Sequence, residues 1–193
     1  AAPRQSAPPA KADPVQIHRP TPVPDRVILT VNDAMDRKLT VSWRTDATVE
    51  TALVQVAPAD ADPKFAAKAL TTTAQESHAL ATDLGPAKQH SAAVDGLLPD
   101  TLYAYRVGDG VNWSEWFHTR TAADGPAPFS FVYFGDAQND LKSLWSRAIR
   151  SAYATAPQAR LILHAGDLIN RANTDLEWGE WHGAGGWVNG MVP

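Results

Sequence analysis

Two Gly-Asp pairs are the part of this sequence best suited to chemistry. The pair at 135–136 directly follows the apolar run 129–134, and the pair at 166–167 follows a second apolar run at 161–164 after one alanine. One such pair after a strand is usually a plain turn, but two in matching positions indicate a shared site. Carboxylates are hard oxygen ligands and the chain has no cysteine, so the two aspartates suit a pair of divalent or trivalent metal ions.

The segment between the two apolar runs has the pattern of a helix. Apolar residues recur at helical spacing across 141–152, Asn139 or Asp140 is placed to cap the start, and Pro157 follows the end. The sequence therefore predicts a β-α-β unit, whose crossover is right-handed and whose two strands are parallel.

Parallel strands bring the two pairs to one edge of a sheet. The carboxyl ends of such strands meet at the same rim, where ligands bind, so we expect Asp136 and Asp167 to lie together there. The glycine before each aspartate, Gly135 or Gly166, is expected to let the backbone turn sharply off the strand and to leave room for an ion or a substrate.

Two amide side chains follow the aspartates closely. Gln138 is two residues after Asp136, and Asn170 is three residues after Asp167. We expect Gln138 to offer a neutral oxygen to the same space and Asn170 to orient Asp167 or its neighbours. No residue is assigned as a catalytic acid, base or nucleophile.

The chain before this unit differs from it in composition and in the pattern of its apolar residues. Residues 1–24 hold seven of the 15 prolines and almost no large apolar residue, which indicates an extended leader or linker. Short apolar runs separated by Pro, Gly and Asp then indicate the strands of a β-sandwich. The predicted strands lie at 27–31, 39–44, 52–56, 92–94, 103–107 and 113–119.

The segment 97–103, Leu-Leu-Pro-Asp-Thr-Leu-Tyr, resembles the Leu-x-Pro-x-Thr-x-Tyr corner of fibronectin type III domains. The resemblance implies that the Tyr103 hydroxyl ties its strand back to the preceding loop. We therefore predict a leader at 1–24, an all-β fibronectin III-like sandwich at 25–122, a linker at 123–128 and the first β-α-β part of an α/β domain at 129–193.

Composition excludes several classes of protein. The net charge of -4 and the lack of a basic cluster argue against a nucleic-acid-binding surface. No apolar run approaches the roughly 18 residues of a membrane span, and no Gly-x-Gly-x-x-Gly loop indicates a nucleotide-binding Rossmann fold. The opening Ala1-Ala2-Pro3 resembles the start of a mature exported protein, so a secreted or periplasmic location is expected.

The stretches 135–138, Gly-Asp-Ala-Gln, and 164–170, His-Ala-Gly-Asp-Leu-Ile-Asn, resemble the first two motifs of calcineurin-like metallophosphoesterases. With the preceding sandwich, residues 24–193 most resemble bacterial relatives of the purple acid phosphatases. The resemblance implies hydrolysis of a phosphate ester, of the acid phosphatase or phosphodiesterase type, by two metal ions (Fe, Mn or Zn). It also implies that Asp136 binds the first ion and Asp167 bridges both.

The sequence departs from the family pattern at three places. Asn170 stands where purple acid phosphatases have a metal-binding tyrosine, so a purple ferric centre is not expected, and Gln138 stands where many relatives have histidine. The Gly-Asn-His motif and later histidine motifs do not occur before Pro193. We therefore expect the chain to be a fragment that supplies only the first ligands and is inactive alone.

The segment around His182 and the chain as a whole each have two interpretations. His182 lies in the tryptophan-rich segment 178–187, which is expected either to form a wall of the substrate cleft or to pack against the sandwich. The alternative to an enzyme is a non-catalytic fibronectin-like module that binds carbohydrate or protein and carries an incomplete phosphoesterase segment. The sandwich is also a candidate for homodimer contacts.

Overall fold

Two four-stranded antiparallel sheets pack face to face in the computed structural model, which describes residues 12–193. The first sheet contains, in spatial order, β1 (Asp25–Thr30), β2 (Leu39–Asp46), β6 (Gly85–Val94) and β5 (Glu76–Thr82). The second contains β4 (Leu70–Thr73), β3 (Leu53–Pro58), β7 (Leu102–Gly108) and β8 (Phe117–Arg120).

Alternate residues of the central strands form the core of this sandwich. Val41 and Trp43 of β2 and Tyr105 and Val107 of β7 are all 0% exposed and belong to one apolar cluster. The corner at Tyr103 has the expected form, because the Leu98 amide donates a hydrogen bond to the Tyr103 hydroxyl at 2.8 Å. The predicted fibronectin III-like sandwich is confirmed.

Three details of the sandwich differ from the sequence prediction. Strands β4 and β5 were not predicted, because both are edge strands with mostly exposed residues and so lack an apolar alternation. The strand expected from Trp113 begins only at Phe117, and Trp113 makes a single bridge to Gly108.

The leader is not extended throughout. Residues 1–11 lie outside the described part of the chain, but Pro14–His18 forms a short helix, α1. The Asp13 carboxylate accepts a hydrogen bond from the Val15 amide, and Pro14 occupies the first turn. An N-cap aspartate followed by proline is a helix-start signal, so the prediction of an extended leader is wrong here.

A β-α-β unit follows the sandwich, as predicted. Strands β9 (Val132–Phe134) and β10 (Ile162–His164) are parallel, with Ile162 opposite Val132. The connecting helix begins with a π-helical turn at Leu141–Trp145 and continues as α2 (Ser146–Thr155). The fold class, a sandwich followed by the start of an α/β domain, is confirmed.

The first strand of this unit is shorter than expected and is not buried on both faces. Phe129 and Phe131 precede it and are 62% and 52% exposed. Tyr133 and Leu163 also point away from the helices, at 66% and 45% exposed. Only one face of the two-stranded sheet packs against helices, so the prediction of a doubly buried strand at 129–134 is wrong.

The helix start also differs from the capping prediction. Asp140 precedes the first turn, but its φ is 52° and its carboxylate makes no capping hydrogen bond. Its carbonyl oxygen instead accepts from the amides of Ser143 and Leu144. Asn139 does not cap either, since its side-chain oxygen accepts a hydrogen bond from Asn170.

A third helix joins the two parts of the molecule. Helix α3 (Asp175–Gly185) and the 3-10 turn Gly186–Gly190 pack against α2 and against β1. Trp145, Ile149 and Trp181 are buried residues of this second core. Over residues 12–193, no helix is long and apolar enough to cross a membrane.

Candidate metal-binding rim

The loops after β9 and β10 lie side by side. The parallel ladder continues into them, because the Ala165 amide donates to the Phe134 carbonyl at 2.7 Å and the Asp136 amide donates to the Gly166 carbonyl at 3.3 Å. Asp136 therefore lies beside the residue that precedes Asp167. The shared rim expected from the topology is present, and both aspartate side chains are exposed on it.

Both aspartates have the same unusual backbone conformation. Asp136 has φ 57° and Asp167 has φ 50°, in the left-handed region that costs most residues about 1–3 kcal/mol and is found often at binding and catalytic sites. Gly166 has φ 101°, which only glycine adopts easily. Gly135 does not have a positive φ, and a Cβ there would meet the Ala165 Cβ at an ordinary 3.6 Å. The prediction that the backbone turn requires a glycine is thus confirmed at Gly166 and is wrong at Gly135.

The two amide side chains link the loops. Gln138 Nε2 donates a hydrogen bond to Asp136 Oδ1 at 3.0 Å, so its nitrogen and not its oxygen meets the aspartate. Asn170 Nδ2 donates to the Gln138 carbonyl at 2.9 Å and to Asn139 Oδ1 at 3.3 Å. Asn170 therefore joins the loop that carries Asp167 to the loop that carries Asp136.

Glu177 is a residue of this region that the sequence reasoning missed. Its Oε2 accepts from the amides of Asn170 and Arg171, each at 2.9 Å, and its Oε1 accepts from Arg171 Nε at 2.8 Å. Burial acts to raise the pKa of Glu177, but the hydrogen bonds and charge from Arg171 and the Asn170 amide lower it overall. The signal was the capping-box pattern Thr174-x-x-Glu177, in which Glu177 holds the preceding loop although Thr174 makes no side-chain cap.

His164 lies beneath the rim as a packing residue. Its ring stacks on Phe134 with centroids 5.7 Å apart and meets Trp145 and Trp181 edge-on. Burial lowers the pKa of His164, and its Nδ1 is buried with no hydrogen-bond partner among residues 12–193. A neutral imidazole in an aromatic core supports the strand end and offers no charge to the rim.

The structure does not bring His182 to the rim. The ring packs edge-on against Trp181 at 4.9 Å and lines a cleft of about 580 Å³ between the sandwich and α3, together with His18, Arg26 and Trp113. In the part of the chain that the structure describes, no hydrogen bond joins it to the rim residues. Burial, with Arg26 and Arg44 nearby, lowers the pKa of His182 to about 3. Packing against the sandwich, rather than substrate contact at the rim, is the arrangement observed.

The two rim carboxylates are suited to be two of the several ligands that a metal ion needs. The Asp136 carboxylate accepts one hydrogen bond, from Gln138, and the Asp167 carboxylate accepts none from residues 12–193. Exposed carboxylates with spare lone pairs suit hard cations. Across the described residues, however, no group of three or more histidine, aspartate and glutamate side chains is placed to hold an ion. An ion bound by these two carboxylates would need further ligands.

Two solved structures are similar to this chain over part of their own length. The solved structure of PhoD superposes with a TM-score of 0.56 at 15% identity, over 86% of this chain and 37% of PhoD. The FN1-FN3 domains of chicken CNTN1 match with a TM-score of 0.38 at 22% identity, over 53% of this chain and 33% of that one. The chain thus spans about a third of the length of each. No curated protein matches the sequence.

The strands and helices described above form a fibronectin III-like sandwich followed by the start of an α/β domain. The family model for the purple acid phosphatase N-terminal domain matches residues 24–121, just over half of the chain. The chain belongs to this family, so the resemblance of its sandwich to the N-terminal domain of purple acid phosphatases is confirmed.

Proposed function

We propose that the protein hydrolyses phosphate esters with a dinuclear metal centre, to which this chain contributes Asp136 and Asp167. One observation carries the proposal: two exposed aspartates in the same left-handed conformation follow two paired parallel strands at one rim. The match to the N-terminal domain of purple acid phosphatases supports a phosphoesterase. The PhoD likeness supports the fold on which the rim is built.

The chain's own residues hold and orient the proposed ligands. Gln138 restrains the Asp136 carboxylate, and Asn170 fixes the distance between the two loops. When bound, two ions would polarise a phosphoryl oxygen and lower the pKa of a bound water. In this proposal Asp136 would hold one ion, Asp167 would be shared by both, and further ligands besides these two carboxylates would complete the site.

The proposed metals are Fe, Mn or Zn. The side chains at the rim are carboxylates and amides, and the chain has no cysteine. His164 lies beneath the rim and His182 lies in the cleft beside the sandwich, and neither hydrogen-bonds to the two aspartates in the described structure. Asn170, an amide, cannot supply the phenolate that gives a ferric centre its purple colour. A colourless or weakly coloured protein is therefore proposed.

The test measures metal binding by the longest native form of the protein, which includes this chain, and by its variants. Mn²⁺ and Zn²⁺ are titrated calorimetrically into the wild type, Asp136→Asn and Asp167→Asn, and bound metal is then counted by mass spectrometry. We expect the wild type to bind and each substitution to weaken affinity at least tenfold, since an amide is a poorer cation ligand than a carboxylate. Hydrolysis of p-nitrophenyl phosphate by the longest native form of the protein is expected to fall in parallel.

Asp100→Asn is the matched control. Asp100 is an exposed aspartate with φ 46°, so it shares the backbone conformation of the rim aspartates but lies on the sandwich. Equal metal binding in all four proteins, or none in the wild type, would overturn the enzyme proposal. The non-catalytic binding module would then be the better interpretation. The expected export and homodimer contacts stay predictions.

A further inference from the structure

The first residue of α3 is bound almost entirely by the sandwich. The buried Asp175 carboxylate pairs with Arg26 through both oxygens and with Arg44 Nη1 at 2.7 Å. The Asp175 amide donates to Asp83 Oδ1, also at 2.7 Å. All three partners belong to the sandwich, so the helix N-terminus is fixed by charge as well as by packing.

Arg44 is itself held rigidly. Its side chain is 1% exposed, and its guanidinium donates to Asp25 Oδ1 at 2.8 Å and to the His18 carbonyl at 2.8 Å as well as to Asp175. A buried arginine with all its nitrogens bonded loses little further freedom and defines the position of its partners. Removing the Asp175 carboxylate would leave Arg44 paired with Asp25, but it would take from Arg26 the carboxylate that it pairs with in the described structure.

Glu177 follows Asp175 by two residues on the same helix and faces the rim. It accepts the amides of Asn170 and Arg171, the loop that begins with Asp167. Asn170 then bonds the Gln138 carbonyl, and Gln138 bonds the Asp136 carboxylate. These hydrogen bonds, joined by the first turn of α3, therefore connect the sandwich to the loops of both rim aspartates. The Asp136 carboxylate is reached by a hydrogen bond, whereas Asp167 is reached through the backbone of its loop.

We propose that the sandwich positions the rim, with Asp175 and Glu177 as the positioning residues. Docking of Asp175 on Arg26 and Arg44 places the first turn of α3, and Glu177 in that turn orders the loop that carries Asp167. A left-handed backbone at a non-glycine residue has an energetic cost that the surrounding structure must offset, and this network contributes to that restraint. The consequence for metal affinity rests on the function proposed above, whereas the ordering of the loop does not.

The test combines amide exchange on the whole chain with metal titration on the longest native form of the protein. The variants are Glu177→Ala, Glu177→Gln and Asp175→Asn, with Glu180→Gln of the same helix as the control. We expect the Asn170 and Arg171 amides to exchange at least tenfold faster in Glu177→Ala and Asp175→Asn. Glu177→Gln keeps one acceptor oxygen and should be intermediate, and the control should match the wild type.

Metal affinity is the second measurement. Outer partners of metal ligands typically contribute 10–100-fold to affinity, so Mn²⁺ or Zn²⁺ should bind about tenfold more weakly to Glu177→Ala, with the thermal unfolding of the sandwich unchanged. Amide exchange that is unchanged in both Glu177→Ala and Asp175→Asn overturns the positioning role. If the wild type binds metal, the role is also overturned when Glu177→Ala binds that metal with the same affinity as the wild type. If the wild type binds no metal, the proposed function fails, and exchange alone decides the positioning role.

Discussion

Asn170 Nδ2 lies 2.9 Å from the carbonyl oxygen of Gln138, although 32 residues separate the two in the chain. This hydrogen bond joins the loops after β9 and β10. Asn170→Ala removes it, and we expect the amides of residues 136–139 to exchange faster, by about fivefold to tenfold for a neutral hydrogen bond of about 1 kcal/mol. Exchange measured by NMR at neutral pH checks this.

Asn173→Ala is the control for that substitution. Asn173 is an exposed asparagine of the same loop, so its replacement tests the loss of an amide without the link to Gln138. Equal exchange rates in the two variants would show that Asn170 does not connect the loops.

Gly166 and Gly135 form a matched pair of glycines before the rim aspartates. Gly166→Ala places a Cβ at φ 101° and should destabilise the chain by about 1–3 kcal/mol. Gly135→Ala meets only the Ala165 Cβ at 3.6 Å and should be neutral or stabilising by about 0.4–1 kcal/mol. Urea unfolding measures both, and a larger loss for Gly135→Ala would contradict the described backbone.

Gly179 of α3 allows α1 to dock. A Cβ at Gly179 would lie 2.6 Å from the His18 ring and 2.8 Å from the His18 Cβ, which is too close for the ring alone to move aside. Gly179→Ala should therefore cost about 1–3 kcal/mol through overpacking, read as a lower urea midpoint and faster proteolysis before His18.

Gly183→Ala, one turn further along α3, is the comparison for Gly179→Ala. Its Cβ would meet the His18 Cε1 at 3.7 Å, an ordinary contact. Alanine favours a helix interior over glycine by about 1 kcal/mol, so Gly183→Ala should stabilise the chain. Destabilisation by both variants to the same extent would argue against α1 docking as the cause.

Tyr103 ties β7 to the preceding loop through its hydroxyl. Tyr103→Phe leaves the Leu98 amide without the acceptor that lies at 2.8 Å, and the cost should be about 1–3 kcal/mol. Tyr133→Phe is the control, because Tyr133 is 66% exposed and its hydroxyl should contribute less than about 0.5 kcal/mol. Equal urea midpoints for the two variants would rule out a structural role for the corner.

Local patterns were enough to predict most of the fold. Period-two alternation in β2 and β7 indicated the sandwich core, and the Leu-x-Pro-x-Thr-x-Tyr segment indicated the Tyr103 corner. The order strand, helix, strand was enough to predict that the two Gly-Asp loops share a rim. Edge strands β4 and β5 escaped prediction because exposed strands need no apolar alternation.

The links that hold the rim could not be predicted in the same way. Arg26 and Arg44 lie 149 and 131 residues before Asp175 in the chain, so their ion pairs exist only once both parts have folded. The reach of Glu177 to the Asn170 amide depends on the path of an irregular loop. His182 was a candidate because it is the only histidine of the sequence after Asp167 and lies in the tryptophan-rich segment, but its position is decided by packing on Trp181.

His182 should make the chain sensitive to acid. Its pKa is lowered from 6.5 to about 3 in the folded chain by burial and by Arg26 and Arg44, with Asp175 acting in the opposite direction. The unfolded chain therefore binds a proton that the folded chain does not, and stability falls as pH drops from about 6.5 towards 3, by at most about 1.4 kcal/mol per pH unit.

Urea unfolding at pH 7, 6, 5 and 4 should show a shallower decline in stability for His182→Gln than for the wild type. His118→Gln replaces an exposed histidine and should follow the wild type. Since carboxylates titrate alike in all three proteins, parallel pH curves for His182→Gln and the wild type would mean that His182 is not held neutral by the fold.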